Sequence, residues 1–200
     1  MELISKDELL KIKLLDFYKI SENLNILLPI ILQQTRLSLR SLDWFVTNYC
    51  KKNNISYPLV KNEQILNFFP FKSYKSQLKA YSKKYCDPFC RRERVIYDYR
   101  NQNIMNFKAD AHLGHKEYII TTIGQLNFFK FAIQESIIDY ALKHITEIEH
   151  DMNSTLKTRE TEKKKVVNFM EVKSIKRKEL SIPGNKSVHI TRISAVIKFV

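Results

Sequence analysis

Lys75, Lys79 and Lys83 recur every fourth residue, so a helix through them would carry three ammonium groups along one face. Lys84 follows directly, and Arg91, Arg92 and Arg94 come just after Pro88. Tyr74, Tyr81 and Tyr85 are interleaved with these cations. Cations neutralise phosphates and aromatic faces stack on bases, so these residue types suit a polyanion-binding surface. Of the 23 residues 72–94, eight are Lys or Arg and two are acidic, a net charge of +6. Residues 155–200 hold twelve basic and four acidic side chains, with runs at Lys163, Lys164, Lys165 and at Lys176, Arg177, Lys178. The whole chain carries +13, so nearly all the excess sits in these two segments. A solvated helix face is the bland reading of such a cluster. Clustering together with tyrosine and arginine favours binding.

Other constellations are weaker. Cys86-x3-Cys90 and His112-x2-His115 form one metal-like set of four ligands, the number a tetrahedral zinc needs. The usual knuckle is Cys-x2-Cys, and Asp-Pro-Phe is a stiff insert, so the spacing argues against zinc and no metal or cofactor is expected. The acids Asp87, Glu93, Asp98, Asp110 and Glu117 show no spacing that selects a metal-binding pair or trio. No P-loop, dinucleotide-binding glycine pattern or nucleophile elbow occurs. With three Gly in 200 residues the backbone has little capacity to approach a phosphate closely. These features predict a protein that is not an enzyme.

The elements that must position the cluster can be read from periodicity. Ser5 with Glu8 matches a capping box and opens a helix carried by Leu9, Ile12 and Leu15. Residues from Ser21 predict a second helix, kinked or broken at Pro29. Apolar spacing over 38–53 predicts a buried helix containing Trp44, the single Trp, in a core role. A helix over 72–85 follows, ended by Asp87-Pro88. Residues 94–99 and 117–122 alternate as antiparallel strands, joined by a polar loop over 100–116. Thr122, with Gln125 at the capping position, opens a long helix to about residue 152, the spine of the core. The sequence thus predicts an α+β domain: helices packed on a small antiparallel sheet. The expected organisation is a helical domain with a β-hairpin over 1–152 and a flexible basic linker over 153–187. A C-terminal strand, 188–200, would dock back to close the sheet, because an isolated strand is not stable.

Three cysteines are no disulfide framework, so a reducing compartment is expected. The charged N-terminus shows no signal-peptide core, and no apolar run is long enough to span a bilayer. The expectation is an intracellular protein without a membrane partner, from an AT-rich genome given its abundant Lys, Ile and Asn.

Four phrases together carry a family resemblance: SLRSLDWFVTNYCKKNN (38–54), SYKSQLKAYSKKYCDPFCRRERV (73–95), TTIGQLNFFKFAI (121–133) and KRKEL (176–180). The chain from about residue 38 onward resembles an uncharacterised protein family of nucleocytoplasmic large DNA viruses, the giant-virus and asfarvirus-like group. The resemblance implies a viral protein acting in the host nucleus or a cytoplasmic factory, or packaged in the virion. It implies no activity and no catalytic residue. On the residues themselves, the expected function is non-catalytic nucleic-acid binding in gene expression, genome organisation or packaging, with DNA ahead of RNA. Lys75, Lys79, Lys83, Lys84, Arg91 and Arg92 would contact phosphates, and Tyr74 or Tyr81 would stack if exposed. Lys163–Lys165 and Lys176–Lys178 would form a second arm or a localisation signal. The alternative is a virion structural or scaffold protein whose basic surface meets an acidic viral protein.

Overall fold

The structure is a computed structural model that describes residues 5–61, 63–90, 93–108 and 114–172. The chain divides into two units, Met1–Leu156 and Lys157–Val200. In the first, helices and two small antiparallel sheets share one hydrophobic core, an α+β architecture.

Helix α1 (Lys6–Tyr18) starts with the full capping box of Ser5 and Glu8. Its buried face is Leu10, Leu14 and Tyr18, while Leu9 and Ile12 are exposed. The expected face was rotated by about one residue, because Leu9–Leu10 and Leu14–Leu15 fit both phases of a 3.6-residue period. Helix α2 (Ser21–Ile31) contains Pro29, whose ring removes the backbone donor that would reach Asn25, and ends two residues beyond it. Helix α3 (Leu39–Trp44) runs through a π-helical turn, Phe45–Tyr49, into α4 (Cys50–Lys52). Trp44 is half-buried against the core, and its indole donates to Asp151 at 3.0 Å.

A hairpin follows that periodicity did not reveal. Strands β1 (Tyr57–Lys61) and β2 (Gln64–Phe68) pair antiparallel. Much of it is exposed, so it lacks the in–out alternation by which strands are read. Helix α5 (Pro70–Cys86) then presents the lysines. Pro70 sits at its first turn, where a missing N–H costs nothing, and Lys83 and Lys84 complement the dipole of its last turn.

Strand β3 (Arg94–Asp98) is the centre of a three-stranded sheet. It pairs with β5 (Tyr118–Thr122), as the alternation predicts, and on its other side with β4 (Asn103–Asn106). Within the polar segment expected as a loop, Asn103–Asn106 is therefore a strand. Asn103 and Asn106 disguise β4, which buries only Ile104. The expected C-terminal strand, 188–200, lies outside the described residues.

The expected spine is three helices: α6 (Ile123–Gln134), α7 (Ile137–Lys143) and α8 (Ile145–Val172). The break falls at Ser136, whose backbone is left-handed at φ 51°. The carbonyl of Glu135 there accepts from Tyr57 at 2.7 Å and its carboxylate pairs with Lys61 at 2.6 Å. The hairpin holds the break, and an apolar stripe continuing through it hides it in the sequence. Helix α8 in turn extends over residues 153–172, part of the stretch expected as flexible linker. Residues 153–165 of that segment are almost wholly polar, but Lys, Glu and Arg are good helix formers whatever they face.

Gly124 lies where α6 meets the end of α5. A Cβ there would come 2.8 Å from the carbonyl oxygen of Lys84 and 3.0 Å from that of Asp87. Ala normally stabilises a helix, but Gly124→Ala is expected to lower stability by about 1–3 kcal/mol, because the obstacles are backbone. Gly114→Ala, with nothing within 4 Å, serves as the control. Equal midpoints for Gly124→Ala and wild type in urea denaturation would contradict the tight junction.

Candidate nucleic-acid interface

Helix α5 divides its residues cleanly. Tyr74 and Cys86 are buried, and Leu78, Tyr81 and Tyr85 pack partly buried against the core. Lys72, Lys75, Lys79 and Lys83 are exposed. Among the described residues none of these four forms an ion pair with an acid. Lys84 differs: its ammonium lies 2.8 Å from Glu93 and 3.8 Å from Asp7. The hydrogen bond to Glu93 raises its pKa, so it stays charged but is already neutralised.

Two expectations change here. Tyr74 is 3% exposed, stacks on Phe131, and donates its hydroxyl to the carbonyl of Cys86 at 3.0 Å. It is a core residue and has no free face for a base. Lys83 does not continue the helical register of Lys75 and Lys79, because Ser82 between them is non-helical at φ 63°. The unbroken stripe is instead Lys72, Lys75 and Lys79, at helical spacing i, i+3, i+7. Tyr81 is half-buried under Lys6, whose ammonium lies 5.8 Å from the ring centre.

The fold also recruits residues that sequence reasoning missed. Phe71 lies between two cations: Lys51 from α4 is 5.8 Å from its ring centre and Lys75 is 5.6 Å away. Lys72 lies 4.5 Å from the ring of Phe69. Both rings are half-exposed. The interleaving of Phe and Lys in FFPFKSYK could have signalled Phe69 and Phe71. Lys51 carries no such signal, since only the packing of α4 against α5 brings it there. Arg91, Arg92, Lys176, Arg177 and Lys178 lie outside the described residues. Lys163, Lys164 and Lys165 fall on α8, in the second unit.

The candidate metal ligands do not form a described cluster. Cys86 is fully buried, and burial pushes its thiol up to about 12. Cys90 is partly exposed beyond the end of α5, and His112 lies outside the described residues. His115 clips the β3–β4 turn: its Nε2 lies 3.2 Å from Asp98, and its Nδ1 accepts from the Glu117 N–H. Among the described residues no three His, Cys, Asp or Glu could hold one metal ion.

The described acids disperse as well, and Asp110 lies outside the described residues. Asp87 accepts from the Phe89 N–H, Glu93 pairs with Lys84, and Glu117 pairs with Arg100. Asp98, 1% exposed, accepts from the backbone of Arg100 and Asn101 and from the Asn101 side chain. Burial opposes its charge, but these donors and His115 win and hold its pKa below 3.8. Asp43, read in sequence as part of a core helix, behaves in the opposite sense. Burial, then the charge of Asp87, pushes it up to about 6.

The α+β unit thus carries a lysine-faced helix, and among its described residues no acids converge on a metal-binding cluster. The chain belongs to a family of unknown function, DUF7197, whose model matches residues 3–197. A relative in Acanthamoeba polyphaga mimivirus, Uncharacterized protein L507, is 41% identical over 140 residues, covering 68% of this chain and 49% of its own length. The chain thus spans about half the length of that curated relative. The match agrees with the resemblance to a giant-virus family. No solved structure matches the chain. Among the described residues no helix is long and apolar enough to cross a membrane.

The two perturbed carboxyls predict opposite pH effects. Asp98 ionises more readily folded than unfolded, so its stabilisation is complete above pH 3.8 and fades as pH falls through its lower folded value. Asp98→Asn should therefore cost stability at pH 7 and little at pH 2. Asp43 ionises less readily folded, so its charge opposes folding increasingly as pH rises from 3.8 to about 6. Asp43→Asn should stabilise at pH 7 and make no difference near pH 3.5. Chemical denaturation at these pH values tests both, and a destabilised Asp43→Asn at pH 7 would refute the burial argument.

Proposed function

We propose that the protein is a non-catalytic nucleic-acid-binding protein of a large DNA virus, serving gene expression, genome organisation or packaging. The observation that carries this is the exposed set Lys72, Lys75, Lys79 and Lys83, which no described acid neutralises. Cations held close together on one surface repel one another and contribute little to folding, so their use lies in an external anion. Phe69 and Phe71 beside Lys72, Lys75 and Lys51 supply ring faces next to the phosphate-binding groups, which favours strands with accessible bases. The proposed setting is the host nucleus or a cytoplasmic viral factory, with packaging in the virion a further possibility. On the resemblance of its phrases the setting extends to asfarvirus-like viruses. Arg91, Arg92 and the basic runs of the second unit would add contacts to the same partner.

Binding should weaken steeply with salt, by about 0.9 in log affinity per log salt for each phosphate neutralised on a duplex, and about 0.7 on a single strand. Changing Lys72, Lys75, Lys79 and Lys83 together to Gln should flatten the slope by about 3 and leave the melting temperature unchanged. Fluorescence anisotropy with labelled duplex and single-stranded DNA from low to moderate salt measures this. An unaltered slope in the quadruple variant would remove α5 from the interface. Failure of the wild-type chain to bind either probe at low salt would reject nucleic acid and leave an acidic viral protein, in a virion structural role, as the partner.

A further inference from the structure

The β1–β2 hairpin packs apolar side chains on the core at its open end, while at its turn end Lys61 is tied by its ion pair with Glu135. At the open end Tyr57 stacks on Tyr140, centroids 4.8 Å apart, and pairs with Phe68. Toward the turn the side chains leave the protein. Ile65 is 74% exposed and Val60 70%, the two most exposed large apolar side chains among the described residues, with Leu66 at 50%.

The register shows which backbone groups face outward. Lys61 pairs with Gln64 across a two-residue turn. The closing pair of such a turn is hydrogen-bonded, and hydrogen-bonded pairs alternate along an antiparallel ladder. Val60–Ile65 and Pro58–Asn67 are then the pairs whose N–H and C=O point away from the hairpin. The outer edge of β1 is spoiled for further pairing, since Pro58 has no N–H to offer. The outer edge of β2 has no such protection. Ile65 and Asn67 each offer a donor and an acceptor, and the sequence Gln-Ile-Leu-Asn-Phe is uncharged. No described residue hydrogen-bonds these outward groups.

We propose that β2 is a self-association edge that pairs antiparallel with β2 of a second copy, joining two hairpins into one four-stranded sheet. A two-fold axis through Leu66 places Ile65 of each copy opposite Asn67 of the other, so the outward donors and acceptors of both strands meet. The same axis brings the two Leu66 side chains together and covers apolar surface now in water. The register is what selects a second copy as the occupant: about this axis each strand's outward groups are satisfied by those of the other, and charge does not oppose the contact. Two chains of +13 repel wherever their basic faces meet, and this strand carries no charge to repel. An acidic partner would be drawn to the lysines of α5 and not to an uncharged edge.

Sedimentation velocity on the full chain, freed of nucleic acid, tests this over a wide concentration range at moderate salt. A monomer–dimer equilibrium is expected, with loss of the dimer in Ile65→Lys and in Asn67→Pro. The Pro variant removes only an outward N–H and keeps the inner ladder. Val60→Lys places the same charge at a similarly exposed site on the blocked strand and should retain the dimer. Melting curves check that each variant is folded. If Asn67→Pro unfolds, the comparison of Ile65→Lys with Val60→Lys still decides. A wild-type chain that stays monomeric throughout, or equal loss of dimer in both Lys variants, overturns the proposal.

Discussion

The first turn of α6 rests on the last turn of α5 with no side chain between them. Gly124 permits this approach, and two side chains then satisfy carbonyls at the end of α5: Asn127 donates to Tyr85 at 2.7 Å and Tyr74 to Cys86 at 3.0 Å. A helix end buried without such partners would carry a desolvation cost of about 1–3 kcal/mol for each unsatisfied group. Because the junction is satisfied, the end of α5 can be buried. Everything downstream inherits its position: the turn at Asp87, strand β3, and through β3 both sheet neighbours. Helix α6 supplies the other half of the core, with Leu126, Phe128 and Phe129 fully buried.

That junction also explains how a helix so rich in lysine can be held in one orientation. Its inner face is tied by Tyr74, Leu78 and Tyr85, and α1 reinforces it where Tyr85 donates to Asp7 and Lys6 reaches the Ala80 carbonyl. The outer cations are then carried by a rigid support and do not need acids of their own. Where acids do approach, at Lys84, the charge is neutralised within the fold. The turn at Ser82 separates the stripe of Lys72, Lys75 and Lys79 before it from the ion-paired Lys84 after it, with Lys83 exposed between the two. The aromatic contribution moved with the same geometry, from Tyr74 in the core to Phe69 and Phe71 beside the cations.

Short-range chemistry was legible where a residue acts on its neighbours. The capping box of Ser5 and Glu8, the Thr122 cap that accepts from the Gln125 N–H, and the alternation that makes strands of 94–98 and 118–122 all follow from local spacing. Features that depend on a distant partner were not legible. The break at Ser136 follows from contacts with Tyr57 and Lys61, almost eighty residues earlier, and β4 is a strand because β3 offers it an edge. The exposed hairpin escaped notice for the complementary reason: little of it is buried, so it leaves almost no periodic trace.

By itself the sequence determined the class of fold, the segregation of positive charge into two segments, and the helix starts at Ser5, Ser38 and Thr122. Each of these is a property of residue type and of spacing within one or two turns. Only the tertiary structure decided which lysines remain free, which tyrosine is interior, and which apolar residues stay in water. Those outcomes depend on what occupies the space beside each side chain. The carboxylate that neutralises Lys84, the rings that enclose Tyr74 and the phenylalanine shared by Lys51 and Lys75 all arrive from elements distant in the chain, or from the far side of a turn. Net charge is set by composition, whereas usable charge is set by what packs against it.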